Sequence, residues 1–115
     1  MTDELPIFKQ IRADIEQNNV MLYIKGTPEM PQCGFSGVVI KILKMLDIEF
    51  KTKNILEDPE LREGIKIFSQ WPTLPQLYIK GEFIGGADIV KELYQSGELI
   101  KILEEKEINF LHQKN

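Results

Sequence analysis

Cys33 is the only cysteine among the 115 residues, and it directly follows a loop rich in proline and glycine. Apolar residues 20–24 precede this loop and are typical of a short buried strand. After the cysteine, apolar residues recur with a helical period over about three turns. We therefore predict that Cys33 lies at or just before a helix N-terminus. The apolar residues of this predicted helix are Val38, Val39, Ile42, Leu43, Met45 and Leu46.

A cysteine in this position is expected to be reactive. Unpaired N–H groups and the positive end of the macrodipole stabilise a thiolate at a helix N-terminus. Lys25, at the exit of the predicted strand, adds a second positive charge if the loop folds back. Both effects would lower the pKa of Cys33 below its free value of about 8.5. The alternative is an inert core residue, because free cysteines are often buried. The residues alone leave both interpretations open.

Composition restricts the class of protein. A chain of 115 residues with 43% hydrophobic and 28% charged residues is typical of one globular domain. We predict a single domain over 1–115, with a core of about 7–103 and a tail at 106–115. A single cysteine allows no internal disulfide and suits a reducing compartment. The net charge of −4 argues against nucleic-acid binding. An acidic N-terminus and short apolar runs predict no signal peptide and no membrane span, so we expect a cytoplasmic protein.

Hydrophobic periodicity predicts an alternating order of helices and strands. A helix between the first two strands implies a parallel crossover, and the later hairpin adds an antiparallel pair. The fold is therefore predicted as α/β and thioredoxin-like, a mixed four-stranded sheet with helices on both faces. The predicted helices cover 7–17, 33–46, 58–70, 88–96 and 98–105, and the predicted strands cover 20–25, 48–54, 77–79 and 83–84; residues after Lys106 show no pattern.

Four blocks of this sequence together resemble a monothiol glutaredoxin of the Cys-Gly-Phe-Ser type. The blocks are Cys33-Gly34-Phe35-Ser36, Lys25 before Gly26-Thr27-Pro28, Trp71-Pro72-Thr73-Leu74-Pro75, and Gly85-Gly86-Ala87-Asp88. The resemblance extends from about Ile7 to Leu103. One such block would occur by chance, but all four in this order are specific.

The resemblance implies a binding site for glutathione, a tripeptide with two carboxylates and one thiol. Lys25 and Arg62 would pair with its glycine carboxylate. The main chain of Leu74, presented by a cis Pro75, would pair with the tripeptide like an added strand. Each residue also has a simpler interpretation, since the two cations could be solvated and the leucine could belong to the core.

The same resemblance assigns the other end of glutathione to the start of the last long helix. The main-chain N–H groups of Ala87 and Asp88 would bind the γ-glutamyl carboxylate. The simpler interpretation of Asp88 is an ordinary N-cap. Some relatives carry a second cysteine at the position of Ala87, and this chain cannot form a disulfide there.

The number of sulfurs separates the possible mechanisms. Dithiol exchange needs a second thiol three residues after Cys33, and that position holds Ser36. A cycle that uses glutathione alone remains possible. However, the stretch between Lys25 and Cys33 is longer than in dithiol relatives and could displace the glutathione thiol from its attacking position.

The resemblance therefore favours iron–sulfur chemistry. A [2Fe–2S] cluster takes four ligands, usually thiolates. Cys33 from each of two chains and the thiols of two glutathiones would supply four, in a symmetric homodimer. The predicted function is a cluster carrier, with a BolA-like protein and apo iron–sulfur acceptor proteins as partners. The alternatives are a glutathione-dependent oxidoreductase and an adaptor whose cysteine senses redox state.

Overall fold

The computed structural model describes residues 4–110. Within this range no helix is long and apolar enough to cross a membrane. A short 3-10 turn, Ile55–Glu57, joins the second strand to the third helix. In chain order the elements are α1 (Pro6–Gln17), β1 (Val20–Ile24), α2 (Gly34–Met45), β2 (Lys51–Asn54), α3 (Pro59–Ser69), β3 (Gln76–Ile79), β4 (Glu82–Gly85), α4 (Ala87–Ser96) and α5 (Glu98–Glu105).

The four strands form one mixed sheet in the order β2-β1-β3-β4. β1 is parallel to β2, because α2 carries the chain back to the same end of the sheet, and it is antiparallel to β3. β3 and β4 form a hairpin whose turn residues Lys80 and Gly81 have φ angles of 52° and 80°. Positive φ at both positions is typical of a type I′ turn. The predicted thioredoxin-like, mixed four-stranded sheet is confirmed.

Helices cover both faces of the sheet, which is also as predicted. On β1, Val20, Leu22 and Ile24 belong to a core shared with α2, α4 and α5. The alternate residues Met21 and Tyr23 belong to a second core shared with α1 and α3. All five are buried, which explains why this central strand is a continuous apolar run rather than an alternating one.

The second predicted strand is shorter in the structure. The alternation over 48–54 predicted a strand throughout, but only Lys51–Asn54 pairs with β1. The main-chain N–H of Ile48 instead donates to the carbonyl of Leu43 at 3.0 Å, which closes the C-terminal end of α2. The alternating pattern therefore has two origins, a helix end and a true strand.

Two other differences concern the core. Val38 and Met45, predicted on the apolar face of α2, are exposed by 37% and 44%, while Ile40 is buried. After α5 the sequence shows no periodicity, yet Ile108 and Phe110 pack into the core against the sheet. A short segment without helix or strand leaves no repeat to detect. The rest of the predicted tail lies outside the described residues. His112, which the sequence suggested to be solvated rather than a ligand, also lies outside them.

Candidate functional site

The loop before the cysteine folds back on itself. The main-chain N–H of Gln32 donates to the carbonyl of Lys25 at 2.8 Å. Gly26 has a φ of +96°, and a Cβ there would lie 2.5 Å from a carbonyl oxygen of the same loop, so only glycine fits. The Asn54 side chain accepts the Gly26 N–H at 2.9 Å and ties the loop to the end of β2. The backbone therefore brings the strand exit close to the cysteine.

Cys33 is the N-cap of α2, as predicted. Its Sγ accepts the main-chain N–H of Ser36 at 3.4 Å. The Ser36 hydroxyl oxygen lies 3.5 Å from Sγ and accepts the main-chain N–H of Lys25 at 3.2 Å. The Cys33 side chain is partly exposed, which contradicts its interpretation as an inert core residue. Ser36, by contrast, is fully buried.

The surroundings of Cys33 favour its thiolate. Partial burial by itself raises the pKa of the thiol. Hydrogen bonds from the Ser36 hydroxyl and from the N–H groups of Ser36 and Phe35, together with the positive charge of Lys25, outweigh this effect and lower the pKa of Cys33 below its usual value. The direction is the one that the sequence predicted, and the hydroxyl of Ser36 is a contribution that the sequence analysis did not include.

Replacing Ser36 by alanine is expected to raise the pKa of Cys33, because the thiolate loses the hydroxyl that stabilises it. At neutral pH the thiolate fraction falls, so alkylation by iodoacetamide slows and its midpoint moves to higher pH. Measuring this rate against pH tests the prediction. Ser96→Ala removes an exposed hydroxyl from α4 and serves as the control. An unchanged midpoint in Ser36→Ala would exclude the hydroxyl as a determinant of the thiol pKa.

A groove with a volume of about 370 Å³ runs alongside the cysteine, and Phe35 from the first turn of α2 forms part of its wall. Three cations line it, Lys25, Arg62 and Lys66, against one carboxylate, Asp88. Lys66 was not among the residues predicted for the site. It lies four residues after Arg62, the spacing that places two side chains on one helix face. This excess of positive charge suits an anionic ligand.

The proline-rich segment 71–75 forms another wall of the groove. The peptide bond between Leu74 and Pro75 is cis, as the resemblance implied. The Leu74 side chain is only 6% exposed and packs in the core beneath α1 and α3. The interpretation of Leu74 as a core residue is confirmed for its side chain, and the pairing of its main chain with a ligand stays a prediction.

The start of α4 closes the groove on the far side. The helix begins at Ala87, and its N-cap is Gly86, which offers no side chain to the first N–H groups. Asp88 lies in the first turn, so its interpretation as the N-cap is wrong. Uncapped N–H groups at a helix N-terminus favour an anion.

The tertiary structure thus brings most of the predicted site together. Cys33 is not itself in the wall of the groove but lies two residues before Phe35, which is. A thioredoxin-like fold with one acidified thiol at the start of α2 and a groove rich in cations is the arrangement expected of a thiol protein with a site suited to a small anion. The predicted residues that share the groove are Lys25, Arg62, Leu74, Ala87 and Asp88.

Comparisons with known proteins agree with this class. The Glutaredoxin family model matches residues 20–84. Probable monothiol glutaredoxin 2 of Rickettsia typhi is 58% identical over 98 residues, which span 85% of this chain and 88% of that protein. A monothiol glutaredoxin of Synechocystis, described as ycf64-like and uncharacterized, is 54% identical over 99 residues, or 83% of this chain and 92% of the relative.

Solved structures give the same result. The solution structure of a monomeric truncated mutant of Trypanosoma brucei 1-C-Grx1 superposes with a TM-score of 0.83 at 40% identity, covering 93% of this chain and 97% of that one. The solution structure of reduced poplar apo GrxS14 superposes with a TM-score of 0.76 at 49% identity, covering 85% of this chain and 90% of that one. The chain therefore belongs to the glutaredoxin family and, within it, to the monothiol glutaredoxins.

Proposed function

We propose that this protein is a glutathione-dependent carrier of [2Fe–2S] clusters that acts as a cluster-bridged homodimer. One observation carries the proposal. The chain has a single cysteine, which is partly exposed, has a lowered pKa and lies two residues before Phe35 in the wall of a cationic groove. A thiolate of this kind can ligate iron, but one chain supplies too few thiolates for a cluster.

The groove supports glutathione as the source of additional thiolates. Lys25 and Arg62 both line the groove, and in this proposal they pair with the glycine carboxylate of glutathione. The main chain of Leu74 can pair with the cysteinyl peptide unit, and the N–H groups of Ala87 and Asp88 can bind the γ-glutamyl carboxylate. Bound in this way, the tripeptide directs its thiol toward Cys33.

Two copies of this arrangement complete the ligand set. A [2Fe–2S] cluster needs four ligands. Two Cys33 thiolates and two glutathione thiolates provide them, while the hydroxyl of Ser36 adds no sulfur. Met30 and Phe35 are 69% and 62% exposed close to Cys33, and this apolar surface suits contact with a second protomer. Ligands that are not covalently part of the chain make the cluster exchangeable, as a carrier requires.

The lowered pKa of Cys33 also favours a second function, the removal of glutathione from mixed disulfides. The Cys33 thiolate would attack the glutathione sulfur of the disulfide, release the substrate thiol and become glutathionylated. A second glutathione thiolate would then attack this disulfide, giving glutathione disulfide and the free Cys33 thiolate. Ser36 cannot replace that second thiol.

Anaerobic reconstitution separates the two functions. Supplied with iron, sulfide and glutathione, the purified protein is expected to form a coloured dimer. Withdrawal of glutathione should return it to a colourless monomer, observed by visible absorption and size-exclusion chromatography. Colour that persists without glutathione would contradict the ligand scheme. Rapid turnover of a glutathione mixed disulfide by the iron-free protein, without cluster formation, would favour the oxidoreductase.

The partners and the location are further parts of this proposal. A BolA-like protein and apo iron–sulfur acceptors are proposed from the family resemblance alone. The absence of a nucleic-acid partner, the absence of a membrane partner and a cytoplasmic location stay predictions from the sequence.

A further inference from the structure

Gln76 is a buried polar residue in an otherwise apolar part of the sheet. Among residues 4–110 the structure buries two polar residues, Ser36 and Gln76, and both are 0% exposed. Ser36 contacts the cysteine, whereas Gln76 opens β3 and pairs with Tyr23 of β1. A buried amide is costly unless its hydrogen bonds are satisfied, so its partners indicate what it does.

The Gln76 amide joins the wall of the groove to the sheet. Its Nε2 donates to the carbonyls of Trp71 and Thr73, each at 3.2 Å. Its Oε1 accepts the Tyr78 hydroxyl at 3.1 Å. The two loop carbonyls can only accept, so the amide nitrogen must face the loop and the amide oxygen must face Tyr78.

Tyr78 is a constant donor in this arrangement. Burial raises the pKa of Tyr78 to about 12, although a hydrogen bond with Ser69 acts in the opposite direction. The hydroxyl therefore stays protonated at neutral pH. The bonds from Tyr78 through Gln76 to the loop are consequently not expected to change with pH around neutrality.

The two carbonyls that Gln76 holds belong to the segment that lines the groove and leads to Leu74. They belong to Trp71 and Thr73, and Leu74 follows. Without these bonds, the segment is still held at Trp71, whose main-chain N–H donates to Lys66 and Ser69, but Thr73 loses its hydrogen bond to the sheet. A hydrogen bond between two main chains depends steeply on distance and angle, so a small movement of this segment weakens pairing with a ligand.

We propose that Gln76 is a positioning residue for glutathione, which holds segment 71–74 so that the main chain of Leu74 can pair with the tripeptide. It does not touch the ligand. The inference rests on the proposed binding of glutathione in the groove, and it adds a residue outside the groove that determines affinity for a peptide ligand.

Thiol–disulfide exchange at Cys33 provides the test. With glutathione disulfide, the Cys33 sulfur forms a bond to one glutathione sulfur, the original disulfide breaks, and reduced glutathione leaves with the proton of Cys33. With hydroxyethyl disulfide the same exchange releases 2-mercaptoethanol, which has no peptide main chain. The ratio of the two equilibrium constants measures recognition of the tripeptide separately from the chemistry of the thiol. A wild-type ratio no greater than one would overturn glutathione binding itself, independently of Gln76.

Gln76→Met has a similar volume and no polar atoms, and it is expected to lower this ratio by about tenfold, the effect of losing a well-formed hydrogen bond. The exchange with hydroxyethyl disulfide and the pKa of Cys33 should not change, since Gln76 does not contact the thiol. A ratio equal to that of the wild type would overturn the proposal.

Gln76→Met also removes the acceptor of the Tyr78 hydroxyl, so its thermal stability should fall as well. Tyr78→Phe keeps both bonds from Gln76 to the loop and is expected to retain the preference for glutathione. The double variant Gln76→Met/Tyr78→Phe removes that hydroxyl. It should recover stability without recovering the preference. Recovery of both together would show that Gln76 acts on stability alone and would overturn the positioning role.

Discussion

Replacement of Cys33 by serine is expected to abolish both cluster binding and mixed-disulfide formation. No other cysteine exists in the chain to substitute for it. A serine hydroxyl titrates far above neutral pH, so it offers neither a thiolate nucleophile nor a thiolate ligand for iron. Visible absorption after anaerobic reconstitution and intact mass after treatment with glutathione disulfide measure the two losses. A coloured Cys33→Ser protein would contradict the proposed ligand set.

The fold of Cys33→Ser should remain intact, because serine can also cap a helix. In the wild type, Sγ accepts the Ser36 N–H at the start of α2, and a serine oxygen can accept the same bond. Cys33→Ala is the informative control, since it removes the cap together with the sulfur. We expect both variants to lose the cluster, but only the alanine variant to lose about 1 kcal/mol of stability. Unfolding of Cys33→Ser would contradict a surface role for this residue.

Removal of the positive charges from the groove is expected to weaken glutathione binding strongly. A charge-assisted hydrogen bond contributes about 1.5–3 kcal/mol, so Lys25→Ala and Arg62→Ala should each reduce affinity roughly ten- to hundredfold. Isothermal titration with glutathione, or the exchange equilibrium described above, measures the change. Raising the ionic strength should reduce the difference between wild type and variants, because salt screens these charges.

The two cations should differ in their effect on the thiol. Lys25 contributes to the lowered pKa of Cys33, and Arg62 does not. Lys25→Ala is therefore expected to raise the pKa of Cys33, while Arg62→Ala leaves it unchanged. Lys41→Ala, which removes an exposed lysine of α2 outside the groove wall, is the matched control. If Lys41→Ala lost as much affinity for glutathione as Lys25→Ala and Arg62→Ala, the cause would be the net charge of the protein rather than a binding site.

Most of the elements could be predicted because their determinants are local. The helix predicted over 58–70 is an example, because Asp58 caps α3 through its side chain and Pro59 is its first residue. The alternation over 48–54 misled because a helix end and a short strand lie next to each other, and periodicity does not distinguish them. Ile108 and Phe110 were missed for a related reason, since a short segment without helix or strand has no repeat, even where it packs into the core.

The candidate site could be predicted only in part. Cys33 and Lys25 stand out because a strand, a loop and a helix follow one another there. Arg62 and Ala87 carry no such local pattern, and only the resemblance to a family pointed to them. Lys66 and the amide of Gln76 were not found at all, because nothing near them in the sequence indicates which groups they will face.

The sequence by itself determined that one thiol stands at a strand–helix junction and that the chain has no second cysteine to form a disulfide with it. It also determined that the fold is thioredoxin-like. These properties follow from residue counts, helix caps and periodicity, which act over a few neighbouring residues. Only the tertiary structure decided that segments near 25, 62–66, 71–75 and 86–89 enclose one groove. Such segments meet because the sheet and the two cores bring distant parts of the chain together, and no local pattern encodes that contact.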